Sequence, residues 1–128
     1  YLIITIMKKE FEYREDEIDY KKLRFAEPLP GLVLSGSKDA TWRLNDNKGL
    51  QAGDNLLLCR VDDKPFAKAE VLWVKSTFFK NLTNEDTEGH EPFDSDEQMY
   101  ATYKKYYNQD VEGSTSLKVI KFRLLKND

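Results

Sequence analysis

The most informative stretch of the chain is Gly36-Ser37-Lys38-Asp39-Ala40-Thr41-Trp42-Arg43, and the turn Gly53-Asp54 follows it ahead of a strongly apolar run. Side-chain alternation along a strand places Thr41 and Arg43 on one face and Trp42 on the other. An ammonium, a hydroxyl and a guanidinium so close together suit the binding of an anionic or amide-like group. The simpler alternative is that the two basic residues are surface cations on an ordinary strand.

Short strands separated by turns dominate the rest of the chain. Apolar patterns predict strands over 21–25, 41–44, 55–61, 66–78 and 116–125. A Pro-led helix is expected over 28–36, and a second helix begins at a capping box formed by Ser95 and Gln98. Val71 and Trp73 are expected to share one face of their strand, and hydrophobicity on both faces from Val71 to Val74 predicts burial of this segment near a barrel interior. The pattern predicts an α+β fold, a small and partly open β-barrel decorated with two or three short helices.

Size and composition fit one domain that needs no metal and no cofactor. The chain has 128 residues, of which 40% are hydrophobic and 34% charged. One Cys and one His cannot build a Cys/His zinc site, and Cys59 is expected to be a small buried side chain. No segment approaches the roughly 18 apolar residues of a membrane-spanning helix. A cytoplasmic protein without a membrane partner is therefore expected.

Charge is distributed unevenly along the chain. The net charge of −3 argues against strong nonspecific binding to nucleic acid. Residues 81–98 contain seven acids and no Lys or Arg, so the remainder has 20 bases against 16 acids. This arrangement is compatible with a basic cleft beside an acidic segment. Docking of a basic partner on the acidic segment is a weaker alternative, since charge runs commonly serve only to solvate a surface.

The order and spacing of several short motifs resemble the ASCH domain, a family of the PUA-like superfamily. The motifs are Leu23-Arg24-Phe25, the Pro-led helix, the stretch 36–43, Gly53-Asp54, Glu88-Gly89, the Tyr-ended helix and Val119-Ile120-Lys121-Phe122. The resemblance covers residues 20–126, so 20–128 is assigned as the ASCH/PUA-like domain and 1–19 as an N-terminal extension. The chain departs from the family pattern at Ser37, a usually basic position, and at Asp39, usually a hydroxyl.

The resemblance implies a PUA-like β-barrel whose cleft is lined by the stretch 36–43 and binds RNA, a nucleoside or a nucleotide. Lys38, Thr41, Trp42 and Arg43 are the ligand-binding residues that it indicates. Lys38 and Arg43 would hold a phosphate or a base edge. Trp42, or a tyrosine of the late helix, would stack on a base. Strand alternation instead favours a core position for Trp42, and helical spacing favours core and rim positions for the tyrosines.

An alternative function follows from one bacterial branch of the same family. That branch hydrolyses the acetyl amide of N4-acetylcytidine with a Lys, a Thr and a Glu. Motif position implies Lys38 as the base and Thr41 as the nucleophile. The acid is Glu88 if the Glu-Gly pair is aligned, or Glu91 if positions are counted back from the late helix. Asp39, next to Lys38, would stabilise the ammonium and make it a poorer base, unless alternation along the strand points its side chain away.

His90 lies in the polar acidic loop before the late helix. A single histidine in such a loop is expected to be solvated rather than to contact a ligand.

Overall fold

The structure is a computed structural model that describes residues 18–126. The predicted extension 1–19 lies almost entirely outside the described residues. Within 18–126 the strands are β1 (Tyr20–Phe25), β2 (Ala40–Arg43), β3 (Asn55–Arg60), β4 (Pro65–Phe78) and β5 (Ser116–Leu124). The helices are α1 (Leu29–Ser35), α2 (Asn84–Thr87) and α3 (Asp96–Tyr107), and a short 3-10 turn spans Phe79–Asn81. No helix in this range is long and apolar enough to cross a bilayer.

The five strands form one mixed sheet in the order β1-β3-β4-β5-β2. β1 runs parallel to β3, and the other neighbouring pairs are antiparallel. β1 and β2 are the edges, and no backbone ladder joins them in the described chain. The α+β class is confirmed, whereas closure into a barrel is not. A side chain nevertheless links the two edges, because Arg43 Nη2 in β2 donates to Arg24 O in β1 at 2.9 Å.

The sheet separates two hydrophobic cores. On one face α1 packs over a cluster formed by Leu23, Phe25, Val33, Leu50, Leu56, Leu58, Ala69, Val71, Ile120 and Phe122. On the other face α3 packs over a cluster formed by Trp42, Leu44, Phe79, Met99, Tyr103, Leu117 and Val119. β5 serves both cores because its alternate side chains point to opposite faces of the sheet.

A β-bulge in β4 reverses the alternation that the sequence predicts. Val71 pairs with Phe122 and Trp73 with Lys121, so Leu72 is the extra residue between them. Val71 packs into the first core, whereas Trp73 contacts the second. Leu72 is 41% exposed, so continuous burial of 71–74 is wrong. The apolar run predicts a fully buried strand. The bulge that turns Leu72 outward cannot be recognised from that run alone.

The predicted helix boundaries agree with the structure. Gly36 ends α1 in the left-handed conformation, with φ of 86°. Ser95 Oγ accepts from Gln98 N at 3.1 Å and caps α3, but Gln98 Oε1 accepts from Asp94 N instead of Ser95 N, so the predicted capping box is only half formed. The sequence interpretation missed α2, whose own capping box joins Thr83 and Asp86.

Candidate functional site

A cavity of about 220 Å³ opens between the two edge strands and the C-terminal half of α3. β1 and β2 supply one wall, α3 supplies tyrosines, and the loop between α2 and α3 supplies a carboxylate. The polar side chains that line it include Lys38, Thr41, Arg43, Glu91, Tyr103 and Tyr106. Three of the four predicted catalytic residues therefore share one cavity.

Lys38 is a buried cation that pairs directly with a carboxylate in the wall of this cavity. Its side chain is 2% exposed, and Nζ donates to Glu91 Oε2 at 2.6 Å and to Ala40 O at 2.8 Å. The position follows from local structure, because Gly36 ends α1 and Lys38 N then donates to Leu32 O at 3.1 Å before β2 begins. The alternative of a solvated surface lysine is wrong.

Burial and pairing act on this ion pair in opposite directions. Burial lowers the pKa of Lys38, and the charge of Glu91 only partly offsets that effect. Burial also acts to raise the pKa of Glu91, but the neighbouring Lys38 ammonium outweighs it, and the net pKa is lowered. Lys38 therefore releases its proton more easily than a solvated lysine, while Glu91 is held as a carboxylate.

Backbone contacts of Gly89 fix the loop that carries Glu91. Gly89 O accepts from Asp39 N at 2.9 Å and from Ala40 N at 3.1 Å. Gly89 has φ of 78°, and a Cβ there would lie 1.7 Å from Asp39 Oδ1. Glu88, one residue before it, is exposed and does not line the cavity. Of the two candidate acids, the structure brings only Glu91 to Lys38.

Asp39 points away from the predicted base. Its Oδ1 accepts from Lys121 Nζ in β5 at 2.7 Å. Asp39 makes no hydrogen bond to Lys38 among the described contacts, and its charge raises the pKa of Lys38 only weakly, against the larger opposite effect of burial. The departure from the family pattern instead supplies an ion pair that ties β2 to β5.

Arg43 is held on three sides. Its Nε donates to Thr41 Oγ1 at 3.2 Å, its Nη2 donates to the Arg24 carbonyl, and its guanidinium lies 4.8 Å from the centre of the Phe25 ring. Thr41 is buried and keeps its own hydroxyl proton available to donate. Burial lowers the pKa of Arg43, but a guanidinium remains charged in proteins.

The chain is similar to several solved structures, and the similarity concerns its fold. No family model matches the chain, and no curated protein matches it. Among solved structures, an ASCH domain from Lactobacillus crispatus JV V101 is similar, with TM-score 0.62 and 16% identity over 87% of this chain and 84% of that chain. A protein from Enterococcus faecalis V583 gives TM-score 0.67 and 16% identity over 94% and 91% of the two chains. ASCH from Zymomonas mobilis gives 0.57 and 11% over 80% and 65%.

The chain has the fold of an ASCH domain. The fold expected from the sequence motifs is thereby confirmed, apart from closure of the barrel. Identities this low concern the fold alone, so the roles of Lys38, Thr41, Arg43 and Glu91 remain predictions.

In this ASCH fold, Trp42 is buried in the wall of the cavity, and His90 lies behind it. Their rings stack at 3.7 Å between centres, and Trp42 Nε1 donates to Asp86 O at 3.0 Å. His90 Nδ1 lies 2.8 Å from Glu91 O, and Nε2 lies 3.1 Å from the Tyr103 hydroxyl. The solvated histidine is therefore a wrong prediction. Burial lowers the pKa of His90 to about 4, so the ring is neutral at pH 7.

The core position expected for Trp42 is observed, since the ring is 4% exposed. The tyrosines of α3 follow their expected core and rim positions. Tyr103 is buried and stacks on Tyr107 at 6.3 Å, whereas Tyr106 is 58% exposed. Residues 18–126 contain no group of three His, Cys, Asp or Glu side chains that could hold a metal.

Proposed function

We propose that this cavity binds one nucleobase, presented by a free nucleoside or nucleotide or by single-stranded RNA. The observation that carries the proposal is the buried Lys38–Glu91 pair, which faces a cavity that Thr41 and Arg43 also line. Its volume of about 220 Å³ is below the roughly 300–1,000 Å³ of pockets that enclose drug-sized ligands. That size suits one base and leaves no space inside for several nucleotides.

Free polar atoms of the pair match the edge of a base. Lys38 uses two of its three N–H donors, and Glu91 Oε1 accepts no hydrogen bond from the described residues. Carboxylates accept from the exocyclic amine of cytosine, and cationic side chains donate to ring nitrogens and carbonyl oxygens. A cytosine-like edge, with a donor beside an acceptor, complements Glu91 and Lys38. The rings of Tyr103 and Tyr107 add aromatic surface beside it.

Calorimetric titration with cytidine, cytidine monophosphate and single-stranded RNA tests this proposal. We expect Glu91→Gln to weaken binding by about tenfold, because a hydrogen bond to a charged acceptor becomes one to a neutral acceptor. Glu88→Gln is the matched control, since Glu88 lies three residues away and is exposed. Arg43→Ala is expected to weaken binding as well. Unchanged affinity in Glu91→Gln and Arg43→Ala, or no binding of any of these ligands, would refute the proposal.

A second candidate function is hydrolysis of the acyl amide of an N4-acylated cytidine. The observation that favours it is the convergence of Lys38, Thr41 and Glu91 on one cavity, with a direct hydrogen bond between the first and the last. A shift of one proton along that bond gives a neutral amine and a carboxylic acid. These are the two states that a base and an acid need for amide cleavage.

Starting from those two states, amide cleavage proceeds through an acyl ester on Thr41. Lys38 accepts the hydroxyl proton of Thr41, and Thr41 Oγ1 bonds to the amide carbon. Glu91 donates its proton to the leaving amine as the carbon–nitrogen bond breaks, which releases cytidine and leaves an acyl ester on Thr41. Lys38 and Glu91 are by then an ion pair again, and water hydrolyses the ester to a carboxylic acid and the free Thr41 hydroxyl. Arg43, bonded to Thr41 Oγ1, holds the nucleophile in place.

Incubation with N4-acetylcytidine, followed by chromatography for cytidine, tests this second function. Lys38→Ala and Thr41→Ala are expected to abolish turnover, and Glu88→Gln is expected to retain it. Turnover that persists in Lys38→Ala would exclude the mechanism. Tight binding of cytidine without turnover of the acetylated nucleoside would leave the binding function alone.

A further inference from the structure

The mouth of the cavity carries groups that the binding of one base does not use. Tyr106 of α3 lines the cavity and is 58% exposed, and Val61, just after β3, lines it and is 68% exposed. Arg24 of β1 also lines it, with a half-exposed side chain. An aromatic ring, an aliphatic side chain and a guanidinium therefore surround the opening.

The ring of Tyr106 packs edge to face against the inner wall of the cavity. Its ring meets Tyr103 at 5.8 Å with an interplanar angle of 85°. Tyr103 is buried, whereas most of the surface of Tyr106 is exposed to solvent at the entrance. An exposed aromatic ring is a sequence-tolerant stacking surface for any base, because every base has a π-face.

Arg24 provides a cation at the same entrance. Its Nε donates to Asp63 Oδ1 at 2.6 Å, which fixes the side chain on the surface. Its two Nη groups have no hydrogen-bond partner among residues 18–126. A guanidinium with free donors suits a phosphate oxygen, and phosphate contacts fix the register of a bound strand.

We propose that the site extends beyond one base and binds a nucleotide within a single strand of RNA, with the neighbouring base on Tyr106 and the linking phosphate at Arg24. This inference rests on the proposed binding of one base in the cavity. The entrance groups then select a polynucleotide over a free nucleoside. The extended site spans two nucleotides and one phosphate.

Titration of cytidine against the dinucleoside monophosphates CpA and ApC tests the extension. We expect at least one dinucleotide to bind about five- to 150-fold more tightly than cytidine, the range that stacking of one base on an aromatic side chain gives. Tyr106→Ala should remove that advantage, so that CpA loses far more affinity than cytidine does, whereas Tyr106→Phe should keep it. Phe78→Ala is the control, because Phe78 is 44% exposed and lies outside the cavity lining.

The salt dependence of CpA binding tests the phosphate contact. Arg24→Gln should flatten the slope of log affinity against log salt by about 0.7, the value for one phosphate contact on a single strand. Arg123→Gln is matched to it, since Arg123 is also exposed and paired with an acid, and it should leave the slope unchanged.

Each outcome bears on one of the two proposals. If cytidine binds and neither dinucleotide binds more tightly, the extension is wrong and the one-base site stands. If Tyr106→Ala weakens cytidine as much as CpA, the ring belongs to the one-base site and the extension is wrong. If neither cytidine nor a dinucleotide binds, the proposed function itself fails.

Discussion

Replacement of Lys38 by methionine would leave Glu91 as an unpaired carboxylate in the wall of the cavity. The loss of one partner from a fully buried ion pair costs about 3–5 kcal/mol. Lys38 is 2% exposed but Glu91 is 25% exposed, so water solvates part of the remaining charge and the cost is reduced. The Ala40 carbonyl also loses its hydrogen bond from Lys38, worth about 1 kcal/mol. We therefore expect Lys38→Met to lower the free energy of unfolding by about 2–4 kcal/mol.

The double variant Lys38→Met/Glu91→Gln separates these contributions. Neutralising the carboxylate removes the unpaired charge but does not restore the hydrogen bond to Ala40 O. We expect it to recover about 1–2 kcal/mol of the loss, a coupling large enough to resolve in urea denaturation at pH 7. Equal unfolding free energies in the single and double variants would refute the claim that the pair is buried and coupled.

Substitutions at His90, Arg43 and Gly89 test three other contacts of the site. The pKa of His90 is about 4 in the folded protein and 6.5 is its ordinary value, so the unfolded chain binds more protons between those limits. The free energy of unfolding should therefore fall by about 2 kcal/mol from pH 7 to pH 5. His90→Gln should flatten that part of the stability profile, and an unchanged slope would contradict the buried neutral ring. Arg43→Lys should speed hydrogen exchange in β1 and cost about 1–2 kcal/mol through lost contacts with Arg24 O and Thr41, whereas Arg123→Lys should do neither. Gly89→Ala should lower the free energy of unfolding by about 1–2 kcal/mol, because Gly89 has a positive φ, and it should displace the Asp39 carboxylate. Gly31→Ala is the control and should be neutral or stabilising, because open space surrounds Gly31. Equal effects of the two variants on thermal unfolding would argue against the close approach at Gly89.

Local signals in the sequence were sufficient for most of the fold. Gly36 and the Ser95 cap act within one turn of their helices, and strand alternation is visible over a few residues. The bulge at Leu72 depends on how β4 pairs with β5 and is invisible to a pattern read along one strand. Closure of the sheet depends on strand pairing at its two edges, which periodicity does not encode.

The candidate site divides in the same way. Lys38, Thr41 and Arg43 lie within six positions, so one motif and its resemblance identify them. Glu91 reaches Lys38 from 53 residues away, through backbone hydrogen bonds between Gly89 and the start of β2. That long-range contact decides between two glutamates that the sequence left equivalent. Burial of His90 against Trp42 also comes from tertiary packing, which overrides the polar composition of its loop.

The two edge strands meet beneath the cavity through the Arg43 side chain rather than through a backbone ladder. Widening the gap between them breaks no strand pairing in residues 18–126, but it disturbs the guanidinium contacts and the packing of Phe25 and Trp42. The wall of the cavity can therefore yield while the rest of the sheet keeps its hydrogen bonds. We therefore expect the proposed pocket to accept substituents of different bulk on the same base, because side-chain contacts and not a backbone ladder set its width.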